Sequence, residues 1–221
     1  DAHSRELLND HAPRGQVNGL SARWKGNAES LQTYALKTAM QDVGVKAKGY
    51  FPGFTGISGS LEATEKGGKV VLRSGQSSID LPSVFPEPLI RLDSLVAQAN
   101  WKINQGELEA ELSQAEFAGP EAAGSAKGTY RTSPDGPGIV DMTAALTRAD
   151  ARAVWRYLPH VVGKGARYWL RDSLLSGKAT EAKLILKGNL KDFPFLDKNL
   201  GQFLVTVKAR DAVLDYGKGW P

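Results

Sequence analysis

Cysteine is absent from this sequence of 221 residues, and methionine (two) and histidine (three) are scarce. The lack of thiols excludes thiol catalysis, iron–sulfur clusters, cysteine-ligated zinc and a disulfide scaffold. The sequence also has no paired-histidine zinc motif, no G-x-S-x-G nucleophile motif and no nucleotide-binding glycine motif. We therefore predict a protein that has no enzymatic activity, no cofactor and no metal site.

Long apolar runs are missing as well, since no stretch reaches the roughly 18 residues that cross a bilayer as a helix. The first residues, Asp1 to Ser4, show neither an initiator methionine nor the pattern of a signal peptide. We expect residues 1–221 to be a single section of a longer protein that carries its targeting and anchoring segments elsewhere.

What the sequence does contain is alternation of apolar and polar residues, broken by turn residues about every 8 to 14 positions. This pattern is typical of antiparallel strands. Gly67-Gly68, Asn104-Gln105-Gly106 and the segment 133–137 each predict a hairpin turn. We predict a mainly β fold in which strands occupy residues 15–147 and 178–221.

Between these two regions, at about 148–177, the apolar period becomes helical. Thr147 and Asp150 resemble a capping box at the start of a first helix, and Gly177 fits a C-cap after a second. In the second helix, the spacing predicts a buried stripe that leaves Arg167 and Arg171 on other faces. The stripe consists of Ala166, Trp169, Leu170, Ser173 and Leu174. We predict a two-helix insertion at about 148–176.

The insertion also holds the basic charge of the chain. Seven basic and two acidic residues between Arg148 and Lys178 give this segment a net charge of +5, against +4 for the whole sequence. Arginine and tryptophan together favour contact with lipid headgroups or with a partner protein, although solvated arginines on a helical lid give the same pattern. The candidates for such contacts are Arg152, Arg156, Arg167, Arg171, Trp155 and Trp169. The modest charge and the lack of RNA-binding aromatic motifs argue against a nucleic-acid partner.

Several segments resemble the YhdP family, which comprises large AsmA-like, TamB-related proteins of the Gram-negative cell envelope. The most specific are 157–163, 166–170, 184–190 and 192–195, together with Gly177. Segments 12–15, 59–63, 79–82 and 215–221 also fit the family pattern. The resemblance therefore extends over nearly the whole chain.

The resemblance implies a curved antiparallel sheet that forms an open apolar groove. It also implies a periplasmic location for a native chain that is anchored in the inner membrane, and a role in moving phospholipid towards the outer membrane. The resemblance implies no catalytic residues, because the family is not enzymatic. The candidates for the floor of the groove are apolar residues of three predicted strands: Leu95, Ala97, Trp101, Ile103, Leu184, Leu186, Phe203, Val205 and Val207.

Alternation alone leaves two interpretations of these strands open. Their apolar faces form either one wall of an ordinary sandwich or barrel core, or a groove that holds acyl chains. With the resemblance, we predict a non-enzymatic section of a periplasmic protein that moves phospholipid between the inner and outer membranes. The alternative is a structural or assembly factor of the envelope that docks a partner protein through the basic, aromatic helix pair.

Overall fold

The structure is a computed structural model that describes residues 9–26, 31–49 and 51–217. Within these ranges, the chain forms twelve strands, two 3₁₀ helices and an α-helix, and residues 9–11 are also helical. The strands are β1 Arg14–Gly26, β2 Leu31–Val45, β3 Gly53–Thr64, β4 Gly67–Ser74, β5 Ser77–Asp80, β6 Leu89–Leu92, β7 Ser94–Asn104, β8 Glu107–Ala118, β9 Ala122–Ser133, β10 Gly136–Asp150, β11 Leu174–Asn189 and β12 Gly201–Leu214. The helices are the 3₁₀ helices Ala151–Tyr157 and Leu190–Asp192 and the α-helix α1 Lys164–Ser173. The last four residues of the resemblance segment 215–221 lie outside the described ranges.

All twelve strands belong to one open antiparallel sheet, which confirms the predicted fold class. The order is β1-β2-β3-β4-β7-β8-β9-β10-β11-β12, so successive strands are mostly neighbours in space. The short strands β5 and β6 pair with each other and continue the lines of β4 and β7. In the described part of the chain, β1 and β12 each pair with a single strand and form the two edges.

The register places side chains of opposite character on the two faces of the sheet. One row of directly paired residues crosses nine strands from β2 to β12 without a charged side chain: Thr38, Leu61, Val70, Ala99, Leu112, Gly128, Met142, Leu186 and Phe203. The row beside it points to the other face and holds Lys37, Glu62, Lys69, Asn100, Glu111, Thr129, Asp141, Lys187 and Gln202. Because successive residues of a strand point to opposite faces, the period-two alternation creates an apolar face and a polar face.

A cluster of buried apolar side chains lies on the apolar face around Leu95, which is 8% exposed. Ile57, Leu92, Ala97 and Ala115 complete this cluster, and Leu72, Leu112, Phe117 and other half-buried residues pack around it. The cluster is formed by side chains of neighbouring strands. The sheet therefore packs its apolar side chains mainly against one another, as a single curved layer.

The turns follow the sequence prediction with one correction. Gln105 and Gly106 have positive φ and connect β7 to β8, and Pro134-Asp135 connects β9 to β10. The prediction that Gly67 and Gly68 form a turn is wrong, since the turn lies at Glu65-Lys66 and both glycines belong to β4. Glycine is instead needed at position 68 because the ring of Trp101 occupies the space of a side chain. A Cβ at Gly68 would lie 2.3 Å from the nearest ring atom of Trp101.

The helical insertion between β10 and β11 also differs in detail from the prediction. Its first helix is a 3₁₀ helix that begins at Ala151, and its N-cap is Asp150, whose side chain accepts a hydrogen bond from the backbone N–H of Arg152. Thr147 lies in β10, where its hydroxyl donates to the carbonyl oxygen of Ala123, so the predicted capping box does not form. Strand pairing with β9 extends through Ala149 and outcompetes the local helical signal.

The buried side of α1 is also different from the predicted stripe. Arg167 and Ser173 are buried, whereas Ala166 is exposed and Trp169 is 43% exposed. The stripe prediction is therefore wrong for Ala166 and Trp169, and Arg167, which was predicted to lie outside the stripe, belongs to the buried side. Apolar spacing could not show this, because the burial of Arg167 depends on acceptors in the preceding loop.

Candidate functional site: the apolar face

All nine predicted groove residues lie on the apolar face of the sheet. Leu184 pairs with Val205 and Leu186 with Phe203 across β11 and β12, while the β7 candidates share the same face through β8, β9 and β10. The two groups come from opposite halves of the chain. The register therefore brings together residues that the sequence could only assign strand by strand.

Small side chains line the middle of this face. Ala97, Ala115, Ala126 and Ala144 are direct neighbours across β7, β8, β9 and β10. Larger side chains lie on both sides of this row, at Leu112 and Met142 and at Leu95, Phe117 and Leu146. The alanines thus form a shallow trough that crosses the strands. We did not predict Ala115, Ala126 and Ala144 as site residues, although their alternation with Gln114, Ser125 and Thr143 was the signal that could have identified them.

Aromatic rings cover glycines along the turn side of the same face. A Cβ at Gly68 would lie 2.3 Å from the ring of Trp101, and a Cβ at Gly138 would lie 2.5 Å from that of Tyr130. Phe195, from the loop after β11, covers Gly188 and Gly201 in the same way. The missing side chains let the rings lie flat against the strands, so this margin of the face is also apolar.

Exposure on the apolar face rises towards the edge of the sheet. Ala97 and Ala115 in the centre are 8% and 7% exposed, whereas Phe203, Val205 and Val207 in β12 are 38%, 49% and 53% exposed. Exposed apolar side chains that are neighbours on one face mark sites that contact other apolar molecules. Among the nine groove candidates, Phe203, Val205 and Val207 are accordingly the most exposed.

The opposite face is charged and exposed to water. Cross-strand ion pairs join Lys37 to Glu62 at 2.6 Å, Lys187 to Asp141 at 2.8 Å and Lys208 to Glu181 at 2.7 Å, and all six side chains are largely exposed. The hydrogen bond from Lys37 holds the pKa of Glu62 below its ordinary value. A cleft of about 840 Å³ crosses β7 to β11 and is lined by charged residues of this face, such as Lys102, Glu109 and Asp141, and by Trp101 and Tyr130. The surface outside the cleft carries the exposed ion pairs. Such a surface favours water over apolar ligands.

The insertion is held to the sheet by a cluster of charges around Arg156. Its Nε donates to Glu87 at 2.7 Å, its Nη1 pairs with Glu121, and the hydroxyl of Tyr157 donates to the other oxygen of Glu121 at 2.6 Å. Burial and the hydrogen bond to Glu121 raise the pKa of Tyr157. Glu87 and Glu121 lie in loops without periodicity, so the sequence offered no signal for either residue.

The other predicted contact residues of the insertion also have partners within the protein. Arg152 pairs with Asp150 at 2.8 Å, and Arg171 pairs with Asp172 at 2.7 Å. The guanidinium of Arg171 lies 4.8 Å from the ring centroid of Tyr168 and 5.9 Å from that of Trp155.

Arg167 is only 6% exposed, and its Nη2 donates to the carbonyl oxygens of Pro159 and Val162, both at 3.1 Å. This burial disfavours contact of Arg167 with a headgroup or a partner, which stays a prediction.

Replacing Tyr157 with phenylalanine should lower the free energy of unfolding by about 1 kcal/mol at pH 7, because Glu121 loses a donor. Since the folded-state pKa of Tyr157 is raised, its contribution is fully present below the unfolded value of about 10 and declines as the pH rises above it. Urea unfolding between pH 7 and 11 should therefore show the stabilities of wild type and variant converging above pH 10. The exposed Tyr168, changed to phenylalanine, is the control and should follow the wild-type curve; a constant gap for Tyr157→Phe would contradict the assignment.

These features define a class of protein: an open antiparallel sheet with one continuous apolar face and one charged face. The family follows from comparison with known proteins. The chain belongs to the YhdP family, because the family model described as YhdP protein matches residues 1–221.

The chain is also 26% identical over 213 residues to a curated relative from Escherichia coli (strain K12), which is named the intermembrane phospholipid transporter YhdP. The match covers 95% of this chain and 16% of that relative, so the chain spans a small part of the relative's length. No solved structure matches the chain. Among the described residues, no helix has the length and apolar character needed to cross a membrane.

Proposed function

We propose that this chain is a lipid-binding section of a periplasmic transporter that is anchored in the inner membrane and moves phospholipid between the inner and outer membranes. In this role, the apolar face contacts acyl chains, and the polar face remains in water. The observation that carries the proposal is the uncharged row that crosses nine strands from Thr38 to Phe203. The name of the Escherichia coli relative, an intermembrane phospholipid transporter, supports the choice of phospholipid as the ligand.

The dimensions of the apolar face support this proposal. Nine neighbouring strands at about 4.8 Å spacing give the uncharged row a length of about 38 Å. A single leaflet of a bilayer contributes about 15 Å of hydrocarbon, so the row is longer than one acyl chain. Ten methylenes, each half covered by the sheet, would contribute about 4 kcal/mol. This moderate attraction holds a chain on the face and still lets it move along the row.

The exposed residues of β12 provide a direct test, because Val205 and Leu204 are adjacent, similarly exposed and on opposite faces. Val205→Asp should reduce the phospholipid that co-purifies with the chain by about five-fold or more, since a carboxylate on the apolar face must be desolvated by an acyl chain. Leu204→Asp places the same charge on the polar face and should leave bound phospholipid unchanged. Native mass spectrometry of gently purified protein measures both.

Two outcomes of this experiment would count against the proposal. Equal loss of phospholipid in both variants would show that the face of the sheet is irrelevant. Wild-type protein without phospholipid, under conditions in which a longer form of the protein carries it, would remove this section from the lipid path.

Fewer structural features support docking of a partner protein through the insertion than support lipid binding. Tyr168 and Trp169 are 46% and 43% exposed and offer aromatic contact area. The charges of Arg152, Arg156 and Arg171, however, are already paired with carboxylates of the same chain. Lipid contact along the sheet is therefore the function that the geometry favours.

A further inference from the structure

We infer that the first part of the helical insertion, up to α1, and the loop between β5 and β6 form a strap along one rim of the sheet. In this strap, the charge cluster of Arg156 holds the two segments together and so controls sideways entry of lipid to the apolar face. The strap comprises residues 81–88 and 151–163. The access role rests on the proposed function, whereas the closure by Arg156 does not.

The strap joins strand ends that are distant in the sheet. Loop 81–88 follows β5, which is paired with β6 on the line of β7, and the insertion follows β10. Three strand spacings, about 14 Å, separate the lines of β7 and β10. The connection is direct nonetheless: the backbone N–H of His160 donates to the carbonyl oxygen of Val84 at 2.9 Å, and the rings of Phe85 and Tyr157 meet edge to face at 6.4 Å.

Charged groups make the strongest contacts in this connection. Arg156 bridges Glu87 of the loop and Glu121 of the turn between β8 and β9, so a single side chain ties three separate segments together. The two carboxylates are partly exposed, at 41% and 25% of their side-chain surface. A connection through partly exposed charges can open locally without disrupting the apolar core of the sheet. The strap can therefore open while the apolar core of the sheet stays folded.

Beside the insertion, apolar side chains of β11 and of the 3₁₀ helix are buried. Ala182 is 6% exposed, although its partner across the strands, Val207, is 53% exposed. Ala179, further along β11 towards the insertion, is 8% exposed, and Ala153 of the 3₁₀ helix itself is also 8% exposed. The 3₁₀ helix contacts β11 and β10. Displacing the strap would therefore open this rim.

Hydrogen exchange of the 221-residue chain tests whether Arg156 closes the strap. In Arg156→Ala, the amide of His160 and the amides of loop 81–88 should exchange about ten-fold faster, because the charge-assisted hydrogen bonds to Glu87 and Glu121 are lost. The control is Arg152→Ala on the same helix, which removes only the exposed pair with Asp150 and should leave these rates unchanged. Wild-type rates in Arg156→Ala would overturn the inference.

A covalent lock tests the access role. Because the chain has no cysteine, the double variant Val84→Cys/His160→Cys can form only the intended disulfide within one chain, between two residues joined by a backbone hydrogen bond. Oxidised protein should take up fluorescent phosphatidylethanolamine from vesicles of phosphatidylethanolamine and phosphatidylglycerol at least about five-fold more slowly than the reduced form. Equal uptake rates would overturn the access role. Failure of the wild-type chain to take up lipid would overturn the proposed function together with the access role, while the exchange experiment would still decide whether Arg156 closes the strap.

Discussion

Replacing Leu95 with alanine should lower the free energy of unfolding by about 2–4 kcal/mol, one of the two largest effects that we expect in this chain. Leu95 is 8% exposed and lies in the cluster formed with Ile57, Leu92, Ala97 and Ala115. The sheet is a single layer, so neighbouring strands cannot move in to fill the space that the removed methyl groups leave. Urea denaturation followed by tryptophan fluorescence measures the loss.

The adjacent Val96 is the matched control for Leu95. It lies in the same strand, points to the polar face and is 46% exposed. Val96→Ala should change the free energy of unfolding by no more than about 0.5 kcal/mol. Equal effects of the two substitutions would mean that the apolar face does not contain the core of this protein.

Substitution of Gly68 by alanine should have the second large effect. We expect it to lower the free energy of unfolding by about 2–4 kcal/mol. A Cβ at this position would lie 2.3 Å from the ring of Trp101 and 2.4 Å from the carbonyl oxygen of Glu62. The backbone oxygen belongs to the paired strand β3 and has little freedom to move, and the ring must leave the surface of β4. Thermal unfolding gives the stability, and near-ultraviolet circular dichroism reports the displaced indole.

Gly75 provides the control for Gly68. It lies between β4 and β5, and a Cβ there would have no atom within 4 Å. Gly75→Ala should therefore keep the wild-type melting temperature to within about 2 °C. If Gly68→Ala were as stable as Gly75→Ala, the packing of Trp101 on β4 would be wrong, and with it the description of this margin of the apolar face.

The two variants also separate stability from ligand contact on the apolar face. Leu95 lies in its buried centre, and Gly68 lies beneath Trp101 at its margin, so both affect folding directly. Val205 lies at the exposed edge, where a substitution changes the surface offered to a ligand more than it changes the core. A loss of phospholipid in Val205→Asp with an unchanged melting temperature would therefore report on binding alone.

The sequence by itself determined most of the secondary structure and which residues of one strand share a side. Alternation in β7, β11 and β12 placed all nine groove candidates on the apolar side of their own strands, because successive side chains of a strand point to opposite sides. It also located the insertion, since a change from period two to a helical period is a local property of the chain.

Only the tertiary structure decided which residues of different strands share a face. Register depends on pairing between strands, such as Met142 with Leu186, that local periodicity does not encode. The same holds for the role of the arginines: Arg156 finds Glu87 and Glu121, which are 69 and 35 residues away in the chain. The basic excess of the insertion, visible in the sequence as a possible contact surface, is in the folded chain largely engaged with acids and carbonyl groups that folding brings to it.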